Sequence, residues 1–489
     1  MTRGGDKLLG DRGATTLVTQ RAGPGVAGLV ALVSGLAVLL PLWLTTTVPD
    51  VGRSDAWRIT LVVMAVYGGR LAFICCANRP RLFDFFFCLF VYLFLGLAPS
   101  VQIRSDQISG TTPGMDPVLD RPATYIVVAG LLAYEVGRSA AVVRSRAVPP
   151  TARGTARTRA RPVPARDTAP HPARTYLLYA AGLVFLAFFV SRIGPGTLIA
   201  SRDAASEATS AAFPDPSVNA IISALAVYPL LIGTGALVQL RIRSREPTRR
   251  AWLAAVALVG VALLLVSNNP VSTARYGFGI VAFAIAVYLG AARTPARARA
   301  LGLGTIAAFL FLFPLADAFR RADQTASFAR AGFFGEYRAN PDYDAFWQIA
   351  NSYAYWHDGL VEPLRQITGS LLFWVPRSIW ADKPTDTGIL LAQYRNYSVE
   401  NLSAPMWAEG MINLGPAGVL IVFVLLGYWL QRMDIRLADR LHLGDVWGIV
   451  GAVFPVFLTI LLRGSLLQAT GGLVVAIACV LFVRRWSAR

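Results

Sequence analysis

Apolar residues along this chain gather in blocks of about 20, parted by short polar joints. Wound as a helix, a block of that length spans the hydrocarbon layer of a bilayer, roughly 30 Å. Twelve spans are expected, at about 25–46, 56–77, 82–102, 123–143, 175–193, 217–240, 251–269, 274–291, 298–318, 410–431, 443–463 and 465–483. The block at 274–291 is short, and only a tight turn parts the last two. The pattern predicts an all-α polytopic membrane protein. It divides into a tail (1–24), spans one to four (25–143), a linker (144–174), spans five to nine (175–318), a long loop (319–409), and spans ten to twelve with the C-terminus (410–489). The first apolar run follows a polar tail and reads as a retained anchor, not a cleaved signal. No repeat relates the two halves, so the inverted-repeat plan of many transporters is not evident.

Composition agrees. Of 489 residues 55% are apolar and 15% charged, against about a quarter charged in soluble proteins, and the mean hydropathy is +0.51. The net charge of +18 suggests nucleic acid until its location is considered. Seven segments (1–24, 78–81, 144–174, 241–250, 292–297, 432–442 and 484–489) hold 27 of the 46 basic residues. They alternate with connections that hold few, apart from the long loop. Short loops rich in Lys and Arg stay on the cytoplasmic side, so both termini are expected inside and nucleic acid is not a partner. Arg supplies 44 of the basic residues, a bias associated with GC-rich bacterial genomes. The linker 144–174, with eight Arg and six Pro, reads as a disordered segment beside anionic headgroups. Cys75, Cys76, Cys88 and Cys479 lie in apolar stretches and make neither a disulfide framework nor a zinc site.

The loop 319–409 carries ten acidic and eight basic residues and many aromatics. Loops that long are usually folded or functional. Phe346, Ile349, Ala350, Tyr353 and Trp356 share one helical face, which suits an interfacial helix or a platform for stacking sugar rings. Residues 367–375 are apolar but too few to span, as in a re-entrant or interfacial element. They lead into Pro376-Arg377-Ser378-Ile379-Trp380-Ala381-Asp382-Lys383-Pro384, where an Arg fork and a Lys point charge suit phosphate oxygens as well as membrane anchoring. Then comes Trp407-Ala408-Glu409-Gly410-Met411-Ile412-Asn413-Leu414-Gly415-Pro416-Ala417-Gly418 at the mouth of the tenth span. Glu409 and Asn413 are one helical turn apart. A carboxylate there reads as a general base or as a helix-start acid. Arg192, Arg202, Arg275, Arg320, Arg321 and Arg463 lie at the same end, against the inside bias. Each alone reads as a snorkelling anchor; together they suit an anionic ligand such as a lipid diphosphate. Asp342-Tyr343-Asp344 has the metal–nucleotide-sugar spacing, but an outer face should offer no nucleotide sugar. His357 beside Asp358 is a possible base with its orienting acid.

With many spans, one large late loop, P-R-x-x-W-x-x-K-P and W-x-E-G-x-x-N-x-G-x-x-G, the chain resembles the oligosaccharide repeat-unit polymerases, the Wzy-type O-antigen polymerases. The likeness in plan covers most of the chain; the motif likeness is confined to 376–418, with Arg275 a weaker match. The resemblance implies a membrane-embedded glycosyltransferase of the GT-C type that needs no metal or other cofactor. It implies an undecaprenyl-diphosphate-linked oligosaccharide as substrate, at the outer face of the bacterial cytoplasmic membrane, with a chain-length regulator as a possible partner. Arg275, Arg377 and Lys383 would hold the diphosphate, and Glu409 would act as base or position the acceptor. Trp380, Arg192, Arg202, Arg321, Asn413, His357 and Arg463 are further substrate-binding candidates. The linker and the first 24 residues have no counterpart in the family pattern. An O-antigen ligase, another lipid-linked transferase or a lipid-linked oligosaccharide flippase are the alternative readings.

Overall fold

The computed structural model describes residues 26–77, 79–146, 168–313 and 332–485. The tail, residues 147–167 of the linker, and Arg320 and Arg321 lie outside the described residues. Among those described, eleven helices are long and apolar enough to cross a membrane. They are α1 (Val26–Thr47), α2 (Ala56–Cys76), α3 (Leu82–Ser105), α4 (Asp120–Arg146), α5 (Pro172–Ile193), α7 (Pro216–Arg243), α8 (Pro247–Ser267), α10 (Pro295–Leu312), α14 (Met406–Arg440), α15 (Val446–Arg463) and α16 (Leu466–Val483). Between them lie α6 (Arg202–Ala212) and α9 (Arg275–Tyr288). The expected span 274–291 is this α9, and it is a half-length element. Its 14 residues rise about 21 Å at 1.5 Å each, short of the ~30 Å hydrocarbon layer. The chain is a multi-pass, all-α membrane protein. Val62, Val66, Leu132, Val136, Leu425 and Trp429 point outward, where lipid supplies their solvent.

Local chemistry sets the helix ends. Proline opens α5, α8 and α10, where its missing N–H is no loss. Asp445 and Ser465 accept the Trp447 and Leu467 N–H groups to cap α15 and α16. At the end carrying the basic loops, residues 168–171 of the linker bond to the spans. Thr168 accepts the Val446 N–H at 3.0 Å, and the His171 N–H donates to Val483 O at 2.8 Å.

Lipid offers no hydrophobic drive between spans, so association rests on close packing and polar contacts. A β-carbon on Gly137 would lie 1.9 Å from the Val424 carbonyl oxygen, and one on Gly427 2.1 Å from that of Tyr134. Hence α4 and α14 cross at backbone contact. Near the basic end Arg70 reaches Asp84 at 2.5 Å and also pairs with Glu135, while Arg138 pairs with Glu135 at 2.7 Å. Asp434 of α14 accepts the Phe83 and Asp84 N–H groups at 3.0 and 2.9 Å, capping α3 from another span.

At the opposite end the described part of the long loop, 332–405, folds onto the spans. It forms α11 (Ala345–His357), α12 (Arg365–Leu371) and α13 (Thr387–Tyr394). The first two turns of α11 are enclosed by protein, which corrects the interfacial and stacking-platform readings. Phe346, Trp347, Ile349 and Ala350 have no exposure, and Trp347 Nε1 donates to Gln102 at 2.8 Å.

Gly137→Leu is expected to force α4 from α14 and to lower the melting temperature in detergent by several degrees, since overpacking costs about 1–3 kcal/mol. Gly304→Ala in α10, where nothing lies within 4 Å, is expected to leave it unchanged. Equal behaviour of the two variants in a thermal melt would remove the close crossing from the account.

Candidate functional site

Helix α14 is two helical pieces joined at a corner. Leu414 (φ −146, ψ 19) and Gly415 (φ 62, ψ −151) leave helical space, and Pro416 starts the longer piece. Residues 406–413 fold back on its beginning. A β-carbon on Gly418 would lie 2.2 Å from the Gly410 carbonyl oxygen, and one on Gly415 2.5 Å from Trp356 Nε1. The spacing W-x-E-G-x-x-N-x-G-x-x-G is therefore the code for this corner. Trp407 anchors it in the core with no exposure, against Phe87, Phe90 and Phe423, and donates to Val127 O at 3.2 Å.

Both polar residues of the corner hold other elements. Glu409, 2% exposed, accepts the Leu466 N–H at 2.9 Å, at the positive end of the α16 dipole. Asn413 donates to Glu409 O at 2.8 Å and accepts the Ile367 N–H at 3.0 Å, while its own carbonyl accepts the Leu364 N–H at 3.1 Å. The start of α12 thus hangs from Asn413. Its side-chain contacts are with backbone, not with an open site.

Beyond α12 the chain turns through Val375, and the P-R-x-x-W-x-x-K-P segment clasps it. Lys383, 5% exposed, donates to Phe373 O and Val375 O at 2.7 and 2.9 Å. Arg377 donates to Lys383 O at 2.9 Å and to Pro384 O at 3.4 Å. Burial, followed by the neighbouring Arg377 charge, lowers the Lys383 pKa from its ordinary value. The backbone N–H of Trp380 donates to Pro376 O at 3.1 Å within the same turn, and its indole is half-buried.

Arg377 and Lys383, but not Trp380, border a cleft of about 260 Å³. Its walls carry Arg365, Arg377 and Lys383, two carboxylates (Glu362 and Asp382), Tyr355, and Ile412 of the corner helix. Arg365 pairs with Glu362 at 2.5 Å and donates to Asp382 O at 3.2 Å. Leu371, Trp374 and Ile379, on the stretch of chain between Arg365 and Lys383, are exposed apolar side chains suited to lipid. Arg365 escaped the sequence reading because attention fell on the apolar run after it; a cation directly before that run was the available signal. Glu409 does not border the cleft.

The other predicted cations lie elsewhere. Arg275 and Arg463 converge on Asp342, each at 3.3 Å, and Arg463 also reaches Asp344 at 3.6 Å. The D-Y-D spacing is thus the counter-charge for two arginines at span ends. Asp344 accepts the Ser403 N–H at 2.9 Å, and burial raises its pKa above the usual Asp range. Arg192 at the end of α5 and Arg202 at the start of α6 are exposed and away from the cleft. His357 is also exposed, 3.9 Å from Asp358, which binds the Tyr394 hydroxyl instead. Of the predicted set, the structure brings Arg377 and Lys383 together at the cleft and Arg275 with Arg463 at the Asp342 pair.

Comparison with known proteins finds no match among family models, curated proteins or solved structures.

Behind the cleft floor lies a carboxyl that sequence reading missed. Asp386 caps α13 through the Gly388 N–H at 2.8 Å, neighbours Glu409 and the Ser465 hydroxyl, and is raised in pKa by burial. A raised Asp pKa favours folding at pH below the ordinary value, and that contribution is lost as pH rises through the folded value. Asp386→Asn keeps a cap-forming side chain and is expected to flatten the fall in melting temperature above about pH 4. Asp344, raised by the same burial but opposed by the Arg463 charge, is expected to show the same flattening to a smaller extent in Asp344→Asn. Melting curves of both variants across that pH range decide this. A larger flattening in Asp344→Asn than in Asp386→Asn would reverse the assignment.

Proposed function

We propose that the chain is a polymerase of oligosaccharide repeat units linked to undecaprenyl diphosphate. It works at the membrane face opposite its basic loops, with those loops and both termini in the cytoplasm and the cleft at the outer face of a bacterial cytoplasmic membrane. The observation that carries the reading is the cleft itself. Three cations against two carboxylates line it, and the chain between Arg365 and Lys383 exposes Leu371, Trp374 and Ile379, which suits a phosphate group whose lipid tail stays in the bilayer.

In this reading Arg365 and Arg377 grip the diphosphate of the growing chain, and Lys383 sets the carbonyls that hold Arg377 in place. A hydroxyl of the incoming repeat unit attacks the anomeric carbon. The new C–O bond forms as the bond to the diphosphate breaks. The leaving diphosphate takes the electron pair, and the guanidinium groups stabilise its growing charge. Glu362 and Asp382, on the cleft wall, are the carboxylates placed to receive the hydroxyl proton. Glu409 becomes a positioning residue, since its carboxylate faces the start of α16. Arg275 and Arg463, held by Asp342, brace the platform. The ligase alternative leans on His357, which stands outside the cleft. The flippase alternative wants ionisable groups deep in the bundle, and Arg70, Asp84, Glu135 and Arg138 are engaged with one another near the basic end.

The test is purified protein with a lipid-diphosphate-linked repeat unit from its own host, products resolved on a gel. Wild-type protein is expected to give a ladder at repeat-unit spacing. Arg365→Gln and Arg377→Lys are expected to slow chain growth about a hundredfold or more, because Lys cannot replace the fork. Glu409→Gln, which retains an acceptor for the Leu466 N–H, is expected to keep the ladder. Full activity in both arginine variants sinks the diphosphate grip; loss of the ladder in a folded Glu409→Gln returns that residue to the chemistry.

A further inference from the structure

The end of the bundle that carries the basic loops holds a second cavity, of about 180 Å³. It opens between the end of α2, the start of α3, the turn from α9 into α10, and the end of α14. Arg79, Arg81, Arg293 and Arg299 line it, together with His442, and no Asp or Glu does. The acids nearby leave that charge largely uncompensated. Arg79 lies 3.9 Å from Asp439, with both side chains mostly exposed, where an ion pair contributes little. Asp434 feels the Arg81 charge, but its carboxylate already accepts two N–H groups of α3. The Arg299 Nε is enclosed and has no hydrogen-bond partner, which is costly for a charged donor unless a ligand supplies an acceptor. The deeper wall is apolar, with Ile74, Phe85, Phe283 and Leu301.

We propose that this cavity binds the phosphodiester headgroup of an anionic glycerophospholipid. The guanidinium groups meet the phosphate oxygens in charge-assisted bonds, and the apolar wall meets the glycerol and the first acyl carbons. Four arginines repel a quaternary ammonium, so the site selects phosphatidylglycerol or cardiolipin over phosphatidylcholine. The bound lipid ties α2, α3, α10 and α14 at the end where the ionic network of Arg70, Asp84 and Glu135 already joins three of the spans. This inference is independent of the proposed polymerase activity.

The experiment uses the full chain, purified in detergent and delipidated. It is then titrated with mixed micelles of phosphatidylglycerol, cardiolipin or phosphatidylcholine, or with inorganic phosphate. Native mass spectrometry counts retained lipid, and thermal melts report stabilisation. Wild-type protein is expected to retain phosphatidylglycerol or cardiolipin and to melt higher with either. R293Q/R299Q is expected to retain it at least about tenfold more weakly. R249Q/R250Q, which removes two exposed arginines of α8 at the same end, is expected to behave as wild type. R293K/R299K keeps the charge and loses the fork, and its retention is expected to fall as well; it carries the test should R293Q/R299Q not fold. Equal retention by all variants overturns the site. Equal stabilisation by phosphatidylcholine overturns its selectivity, and equal stabilisation by inorganic phosphate reassigns it to a soluble anion.

Discussion

At the corner of α14 two helical pieces meet with their backbones in contact. There is no space for a side chain at Gly418, where a β-carbon would strike the Gly410 carbonyl, and Gly415 takes a positive φ beneath Trp356. Much of the end opposite the basic loops is hung on that corner. Trp407 sinks the first piece into the core, Glu409 reaches the start of α16, and Asn413 carries the start of α12. The cleft is built on the next tier, from α12 and the clasp of Arg377 and Lys383. The motif's spacing is thus a requirement for folding before it is one for chemistry.

Charge is treated differently at the two ends of the bundle. Opposite the basic loops, arginines that fall against the topological bias are met by carboxylates: Arg53 by Asp106 and Asp120, Arg275 and Arg463 by Asp342. At the cleft, cations outnumber acids by one. At the basic end, the ionic network between spans is internally paired, while the arginines around the second cavity have little compensation beyond the exposed contact of Arg79 with Asp439. In the proposed readings these arrangements meet a substrate phosphate at one end and an anionic lipid at the other.

The spans were legible in the sequence because lipid demands unbroken apolar runs, and most of their ends follow the hydropathy pattern within a few residues, while α14 runs on to Arg440, past the expected end at 431. The half-length α9 was visible only as a short block, since length alone does not say how deep a helix sits. The loop was harder. Aromatic spacing located α11 but not its burial, because a face that packs on protein and one that lies on lipid have the same period. Arg377 and Lys383 were correctly grouped by nearness in sequence. Arg365 joins them only through the turn that Asn413 holds, and Asp386 approaches Glu409 only where both meet the Ser465 hydroxyl. The D-x-D spacing of Asp342 and Asp344, set aside in the sequence for want of a nucleotide sugar, has its role in the ion pairs with Arg275 and Arg463.

The central claim is that a lipid diphosphate sits in the cleft formed by α12 and the Arg377–Lys383 clasp. A cryo-electron-microscopy map of the protein in nanodiscs, saturated with a polyprenyl diphosphate, tests it most directly. The account predicts density for the diphosphate between Arg365 and Arg377, its chain leaving over Leu371 and Trp374. Diphosphate density seated instead between Arg275 and Arg463, with Asp342 displaced, or an empty cleft at saturation, would contradict it.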